Sequence, residues 1–281
     1  MPIRSSRVDS ALGRWITTTW EPAADDPLAP YVLAIWDFEG ALAQARERVF
    51  PSGALELIVQ LDEPHRRGDV PGGAHFPALC IGGLPTTSAV VEAPPGRCRV
   101  LGVRMRPAAM FALTGVALDE IRDLTVDLRD AVGRDADVLG ERCHGASTGE
   151  QRVRAAASWV ASRVLRARHV DPRIAWAAAT IDARDGAVAI ADLEETVGRR
   201  RMRAGFRTHV GVSPKRLARI VRFHSALAMV AAGTPLADVA LSAGYYDQAH
   251  FATEFRTHAA MTPTAFLAAK RYPQGTSLAE D

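Results

Sequence analysis

Alternation of apolar and polar positions dominates the first hundred residues, and a helical period dominates everything after them. Leu55 to Leu61 alternates well, with Leu55, Leu57, Val59 and Leu61 on one side and Glu56 and Gln60 on the other. That spacing predicts a half-buried strand. Tyr31 to Phe38 is apolar throughout and predicts a strand buried on both faces. Ser88 to Val91 and Arg97 to Met105 predict two more, joined by the turn Pro94-Pro95-Gly96. In the last strand the alternation slips at Leu101-Gly102, which predicts a bulge at Gly102. Asp62 to Pro77 carries Gly, Pro and charge without period and reads as a long mobile loop.

After Pro107 the period lengthens. Pro107 to Thr114, Leu118 to Leu124 and Asp135 to Cys143 predict short helices. Glu150 to Arg168 predicts a longer one, with Val153, Ala156, Ala157, Val160, Val164 and Leu165 at helical spacing. Asp171-Pro172 breaks it and marks a boundary. Seven helices are predicted beyond that point. They are Arg173 to Asp185, Ile190 to Thr196, Arg199 to His209, a long one from Ser213-Pro214 to Gly233, and one from Thr234-Pro235 to about Ala243. The last two are a helix capped by Asp247 and one opened by Thr262-Pro263. The expected fold is therefore an α+β N-terminal domain of antiparallel strands with short helices, followed by an all-α domain of about seven helices. The expected boundaries are residues 1–149, a linker helix at 150–172, and residues 173–272.

A repeat runs through the helical part. Phe206-Arg207-Thr208-His209 recurs as Phe255-Arg256-Thr257-His258, 49 residues on. Ser213-Pro214 and Thr262-Pro263 follow at the same distance. Ile190-Ala191 and Met202 upstream match Val239-Ala240 and Phe251. One helix–turn–helix unit is thus used twice.

Charge gives this repeat a partner. The net charge is +2, but residues 172–271 alone hold 14 Lys and Arg against 8 Asp and Glu. A basic excess on a doubled helical unit is the footprint expected for double-stranded DNA. The three cysteines are widely spaced without C-x-x-C, which predicts a reducing cytoplasm rather than disulfides or structural zinc. No apolar run is long enough for a membrane helix, so no membrane association is expected.

The stretch Gly244 to Phe266 (GYYDQAHFATEFRTHAAMTPTAF) resembles the signature of the AraC/XylS family of transcription regulators nearly throughout. Arg222 and Ala226 match the family's R-x-x-x-A in the connecting helix. The resemblance covers residues 173–272 and implies two reading helices that enter successive major grooves. It departs at Ala260, where the family has Gly, and at Gly198, where the family has a capping Ser or Asp. Val49-Phe50-Pro51-Ser52-Gly53, Leu55 to Ile58, and Arg99 to Pro107 resemble a domain that precedes this unit in other members. Such domains sense a small molecule or mediate dimerisation. The resemblance therefore implies an effector, a homodimer and RNA polymerase as candidate partners.

In the first head, Met202 and Phe206 are spaced to face inward, which leaves Arg200, Arg203 and Ala204 outward. The resemblance places these three at base edges, and arginine suits guanine. Arg199 and Arg207 are expected to clamp phosphates. In the second head Phe251 and Phe255 face inward. Tyr246, Gln248, Ala249 and Thr253 lie outward, with Gln248 suited to adenine and Asp247 to the cap, and the resemblance implies that His250 packs toward the core side. The alternative class is an enzymatic or metal-binding N-terminal module built on His65, His75, Cys80 and Cys98. No H-x-H spacing, Gly-rich phosphate loop or G-x-S-x-G supports it, so no catalytic residue, metal or cofactor is assigned. Trp15, Trp20, Trp36 and Phe38 are candidates to line an effector pocket. Trp159 and Trp176 are expected to pack the two domains together.

Overall fold

A computed structural model describes residues 1–269 and the strand Ser277–Glu280. The expected domain end at 272 lies outside the described residues. The first part is built from two antiparallel sheets. Seven strands form the larger: β1 (Arg4–Ser10), β2 (Gly13–Trp20), β3 (Val32–Leu42), β5 (Leu55–Gln60), β7 (Leu79–Gly82), β9 (Cys98–Met105) and β10 (Thr125–Asp127). Their order is β1-β2-β3-β9-β5-β7-β10. The smaller sheet, ordered β11-β4-β8-β6, takes β4 (Arg46–Val49), β6 (Arg66–Arg67), β8 (Ala89–Glu92) and β11 (Ser277–Glu280). The C-terminal strand thus returns to the N-terminal part.

Strand β5 follows its alternation. Leu55, Leu57 and Val59 are fully buried, while Glu56 turns away and bonds Arg104 at 2.7 Å. Four expectations fail. Gly102 carries no bulge, because it pairs in register with both Trp36 and Ile58. Both faces of β9 are buried around it, which mimics a phase slip. Glycine is required there because a Cβ would lie 2.2 Å from the Trp36 indole. The irregularity sits instead between Val32 and Ala34. Residues 62–77 form a small hairpin, not a mobile loop. Arg66 bridges His75, and Arg67 N–H donates to Ala74 O. Gln60, expected to face outward, is buried and holds this hairpin through Pro77 O at 3.1 Å. Residues 118–124 are turns rather than a helix.

Four helices complete the first part: α1 (Ala109–Thr114), α2 (Leu128–Val132), α3 (Asp135–His144) and α4 (Gly149–Val164). Thr148 opens α4 with a capping box to Gln151. Helix α4 packs on β2 and β3, where Arg152 meets Asp37 and Glu39. Among the described residues seven helices follow, as expected: α5 (Pro172–Ala183), α6 (Ile190–Val197), α7 (Arg199–Val210), α8 (Pro214–Ala231), α9 (Leu236–Ser242), α10 (Gln248–Ala259) and α11 (Pro263–Ala268). Side-chain oxygens of Asp171, Ser213, Asp247 and Thr262 accept the first-turn N–H groups of α5, α8, α10 and α11.

Two apolar clusters hold the molecule. The larger runs from the seven-stranded sheet through α1 and α4 into α5, α7 and α8. The smaller encloses Phe223, Phe251, Phe255 and Phe266 around α8, α10 and α11, and takes in Phe50 from the end of β4.

Candidate nucleic-acid interface

Met202 and Phe206 of α7 are buried, as their spacing requires. Arg199, Arg200, Arg203, Ala204 and Arg207 are exposed. The arginines separate into two groups. Arg199 pairs with Glu194 at 3.0 Å and Arg207 with Asp119 at 3.0 Å. Arg201 lies 3.7 Å from Asp171. Arg200 and Arg203, assigned to bases, have no carboxylate partner among the described residues. Gly198 has a φ of 90° and offers no capping side chain. An open cleft of about 790 Å³ lies beside it, lined by Arg199, Arg200, Ala204 and residues of α5. The glycine is explained by the backbone turn that β-carbon residues resist, not only by a missing cap.

On α10, Phe251 and Phe255 are fully buried. Gln248, Ala249 and Thr253 are exposed, and Tyr246 stands 92% exposed just ahead of them. Thr253 spends its hydroxyl proton on Ala249 O at 3.0 Å, so what it offers outward is its methyl group and a hydroxyl lone pair. Asp247 accepts from His250 N–H at 2.7 Å and is the cap. His250 is exposed, yet it lies toward the core side of its helix, against the buried Tyr245. Its Nδ1 accepts Tyr246 N–H, and its ring meets Tyr245 edge-on at 5.4 Å. Ala260 takes the left-handed turn with φ 58° despite its side chain, a strain of roughly 1–2 kcal/mol.

Helix α8 carries both heads. Arg219 grips Glu254 of α10 with two bonds of 2.7 and 2.8 Å. Arg222 reaches Gly186 O at 2.9 Å and stacks over Tyr245, which gives the matched arginine of the connecting helix a bracing role. Its 18 residues span about 27 Å at the usual rise.

The tryptophans do not join the two parts. Trp159 donates to Asp135 O at 2.8 Å beside α3, and Trp176 is 46% exposed. The junction is made elsewhere. Leu118 N–H donates to Thr208 O, Ser88 N–H donates to His258 O, and His209 stacks on Phe111. Hydrophobic spacing does not disclose this junction, because backbone N–H groups of Leu118 and Ser88 and backbone carbonyls of Thr208 and His258 make two of its contacts. Nor do the four sheet aromatics converge on a pocket. Cross-strand register puts Trp15, Trp36 and Phe38 on one face and Trp20, opposite Ile35, on the other.

The enzymatic candidates are dispersed. His65 Nδ1 lies 3.0 Å from Gln60 Oε1, and burial lowers its pKa to about 4. His75 is exposed, 3.8 Å from Glu63. Burial pushes the thiols of Cys80 and Cys98 up to about 12 and about 11, which suits inert apolar packing. Among the described residues, no three His, Cys, Asp or Glu side chains are grouped to hold a metal. No described helix is long and apolar enough to cross a membrane.

Buried histidines set an acid limit. Burial lowers His224 to about 4, with Arg104 adding and Asp185 opposing. Burial also lowers His209 and His258, the latter against its bond to Thr86 O. His258 is faced by Arg216, Arg219 and Glu254, and His209 by Asp171 and His169. The unfolded chain therefore binds more protons than the folded one between about pH 6.5 and pH 4, and stability falls as pH drops through that window. The expected result is a melting temperature that declines steadily from about pH 7 to about pH 4. A flat profile would show these rings to be solvated.

Known proteins bear on both halves. Residues 194–269 match a family described as a helix-turn-helix domain. Residues 20–127 match one described as a domain of unknown function. No curated protein matches the chain. Among solved structures, an apo variant of ToxT from Vibrio cholerae is similar at TM-score 0.46 and 12% identity, covering 83% of this chain and 97% of that one. ToxT from the same organism bound to an unsaturated fatty acid is similar at TM-score 0.44 and 11% identity, covering 84% and 95%.

Proposed function

We infer that this chain, whose residues 194–269 form a helix–turn–helix domain of the AraC type, is a transcription regulator that reads DNA with α7 and α10 in successive major grooves. The observation that carries the reading is the shared build of the two helices. Each buries one aromatic-anchored face and leaves the opposite face exposed. Arg200 and Arg203 have no carboxylate partner among the described residues on the first head, and Gln248 stands exposed on the second. Arg200 and Arg203 are assigned to guanine edges, with Ala204 against a thymine methyl. Arg199 and Arg207 are assigned to phosphates and must exchange Glu194 and Asp119 for them. Ala249, Thr253 and Tyr246 shape the second contact. The N-terminal domain is assigned to effector sensing or dimerisation, in a cytoplasmic protein.

Selection of genomic fragments by purified protein tests this reading. The expected motif has two short elements about one helical turn apart, roughly 34 Å. Arg203→Ala should weaken specific binding by about 1–3 kcal/mol and relax the motif at one element only. Recovery of no motif, with affinity collapsing in salt, would reduce the interface to non-specific phosphate binding.

A further inference from the structure

The last turn of a helix leaves carbonyls without partners. In both reading helices the N-terminal domain supplies those partners. On α7, Leu118 N–H donates to Thr208 O at 2.8 Å, a bond that remains when Arg207 leaves Asp119 for a phosphate. On α10, Ser88 N–H donates to His258 O at 2.7 Å and Ser88 Oγ to Ala259 O at 2.9 Å. His258 Nδ1 in turn donates to Thr86 O at 2.9 Å. The repeated Phe-Arg-Thr-His thus places both docking points at matching ends of the two helices.

The two gripping loops are themselves joined. The Asp123 carboxylate accepts Thr86 N–H at 2.7 Å and Thr86 Oγ–H at 3.0 Å. Gly83 N–H donates to Leu124 O at 2.9 Å. A Cβ on Gly83 would fall 1.8 Å from Ile121 O, so only glycine allows the loops to approach. Asp123 holds a φ of 60°, a conformation that costs a non-glycine residue energy and persists where surroundings enforce it.

We propose that residues 83–88 and 116–124 form a yoke that fixes the distance and angle between α7 and α10, with Asp123 and Thr86 as positioning residues for two-element DNA reading. This rests on the DNA reading above. A connecting helix alone leaves the heads free to twist about it, whereas a second strut removes that freedom. Each base pair added between two elements moves them by about 3.4 Å and turns them by roughly 34°. A yoked pair must therefore reject altered spacings that an unyoked pair tolerates.

The test uses the full chain and the motif selected by the wild type, with the spacer shortened or lengthened by one base pair. Wild type should lose about tenfold or more in affinity at either altered spacing, comparable to one lost base contact. Asp123→Ala should compress that loss to about threefold or less while binding to the first element alone stays unchanged. Asp123→Asn, which still accepts one bond from Thr86, should fall between. Ser88→Ala removes the Oγ bond to Ala259 O and keeps the backbone bond to His258 O, so it loosens only the second head and should give an intermediate compression of the loss if Asp123→Ala fails to fold. Spacing profiles identical to wild type in folded Asp123→Ala, or in Ser88→Ala if it does not fold, would overturn the yoke and leave DNA reading intact. A wild type that selects no two-element motif would overturn both.

Discussion

Arg152→Ala should destabilise the protein by about 3–5 kcal/mol, the range for removing one partner of a buried ion pair. Arg152 is 1% exposed on α4 and bonds Asp37 twice, at 2.6 and 2.8 Å. Its Nη2 also reaches Glu39 Oε2 at 2.6 Å. Burial pushes the Glu39 carboxyl up, but Arg152 and Arg97 outweigh it and hold the carboxyl below the usual range. Among the described residues Asp37 has no such second cation: it lies under the start of α4, near Gly149 and Thr18. Without the guanidinium its charge would be stranded in the interior. The penalty belongs to the stranded carboxylate, not to the worth of the pair. Replacing both residues, with Arg152→Met and Asp37→Leu together, should therefore recover most of the loss. Chemical denaturation of the two variants separates these cases. Equal destabilisation would mean that α4 is held by packing and not by charge.

Arg152 also shows what a sequence discloses. Its place on α4 was legible, because the apolar period from Val153 to Val164 defined the helix. Its burial was not, because arginine on a helix is ordinarily solvated, and Asp37 lies 115 positions away. The doubled helical unit was legible almost to the residue. Its caps, inward aromatics and repeat spacing are all short-range and stated by residue type. The N-terminal hairpin of β1 and β2 leaves little trace in the sequence because β1 is an exposed edge strand with only Val8 to signal it. Leu118 to Leu124 looked helical because apolar spacing there serves burial from a loop: Leu118 and Ile121 are core residues without a helix beneath them. The yoke was invisible for a related reason. Backbone N–H and C=O groups make most of its bonds, and every residue type carries those. The outward arginines were visible, but the carboxylates that occupy Arg199 and Arg207 were not.

Phe50→Ala should cost about 3–5 kcal/mol, and the loss should appear in the second reading head before the first. Phe50 follows β4 in the N-terminal domain, yet its ring, 5% exposed, closes the aromatic cluster of α8, α10 and α11. Its centroid lies 5.7 Å edge-on from Phe266 and 6.4 Å from Phe223. Phe255 touches both of those rings, at 5.8 and 5.3 Å. Three residues on, Gly53 turns at φ 85° with its Cβ position 2.7 Å from Val221 Cγ2, so the chain can only press this close to α8 without a side chain. Truncating Phe50 opens a cavity beneath α10 that the surrounding rings cannot fill, since each is fixed by another. The first head has its own anchors in the larger cluster, where Met202, Phe206 and Val210 pack with the sheet domain. Amide exchange should therefore quicken in α10 and α11 while α7 stays protected, and the DNA element assigned to α10 should lose affinity first. Uniform exchange across all seven helices would instead mean that the two heads unfold as one unit, with Phe50 stabilising both.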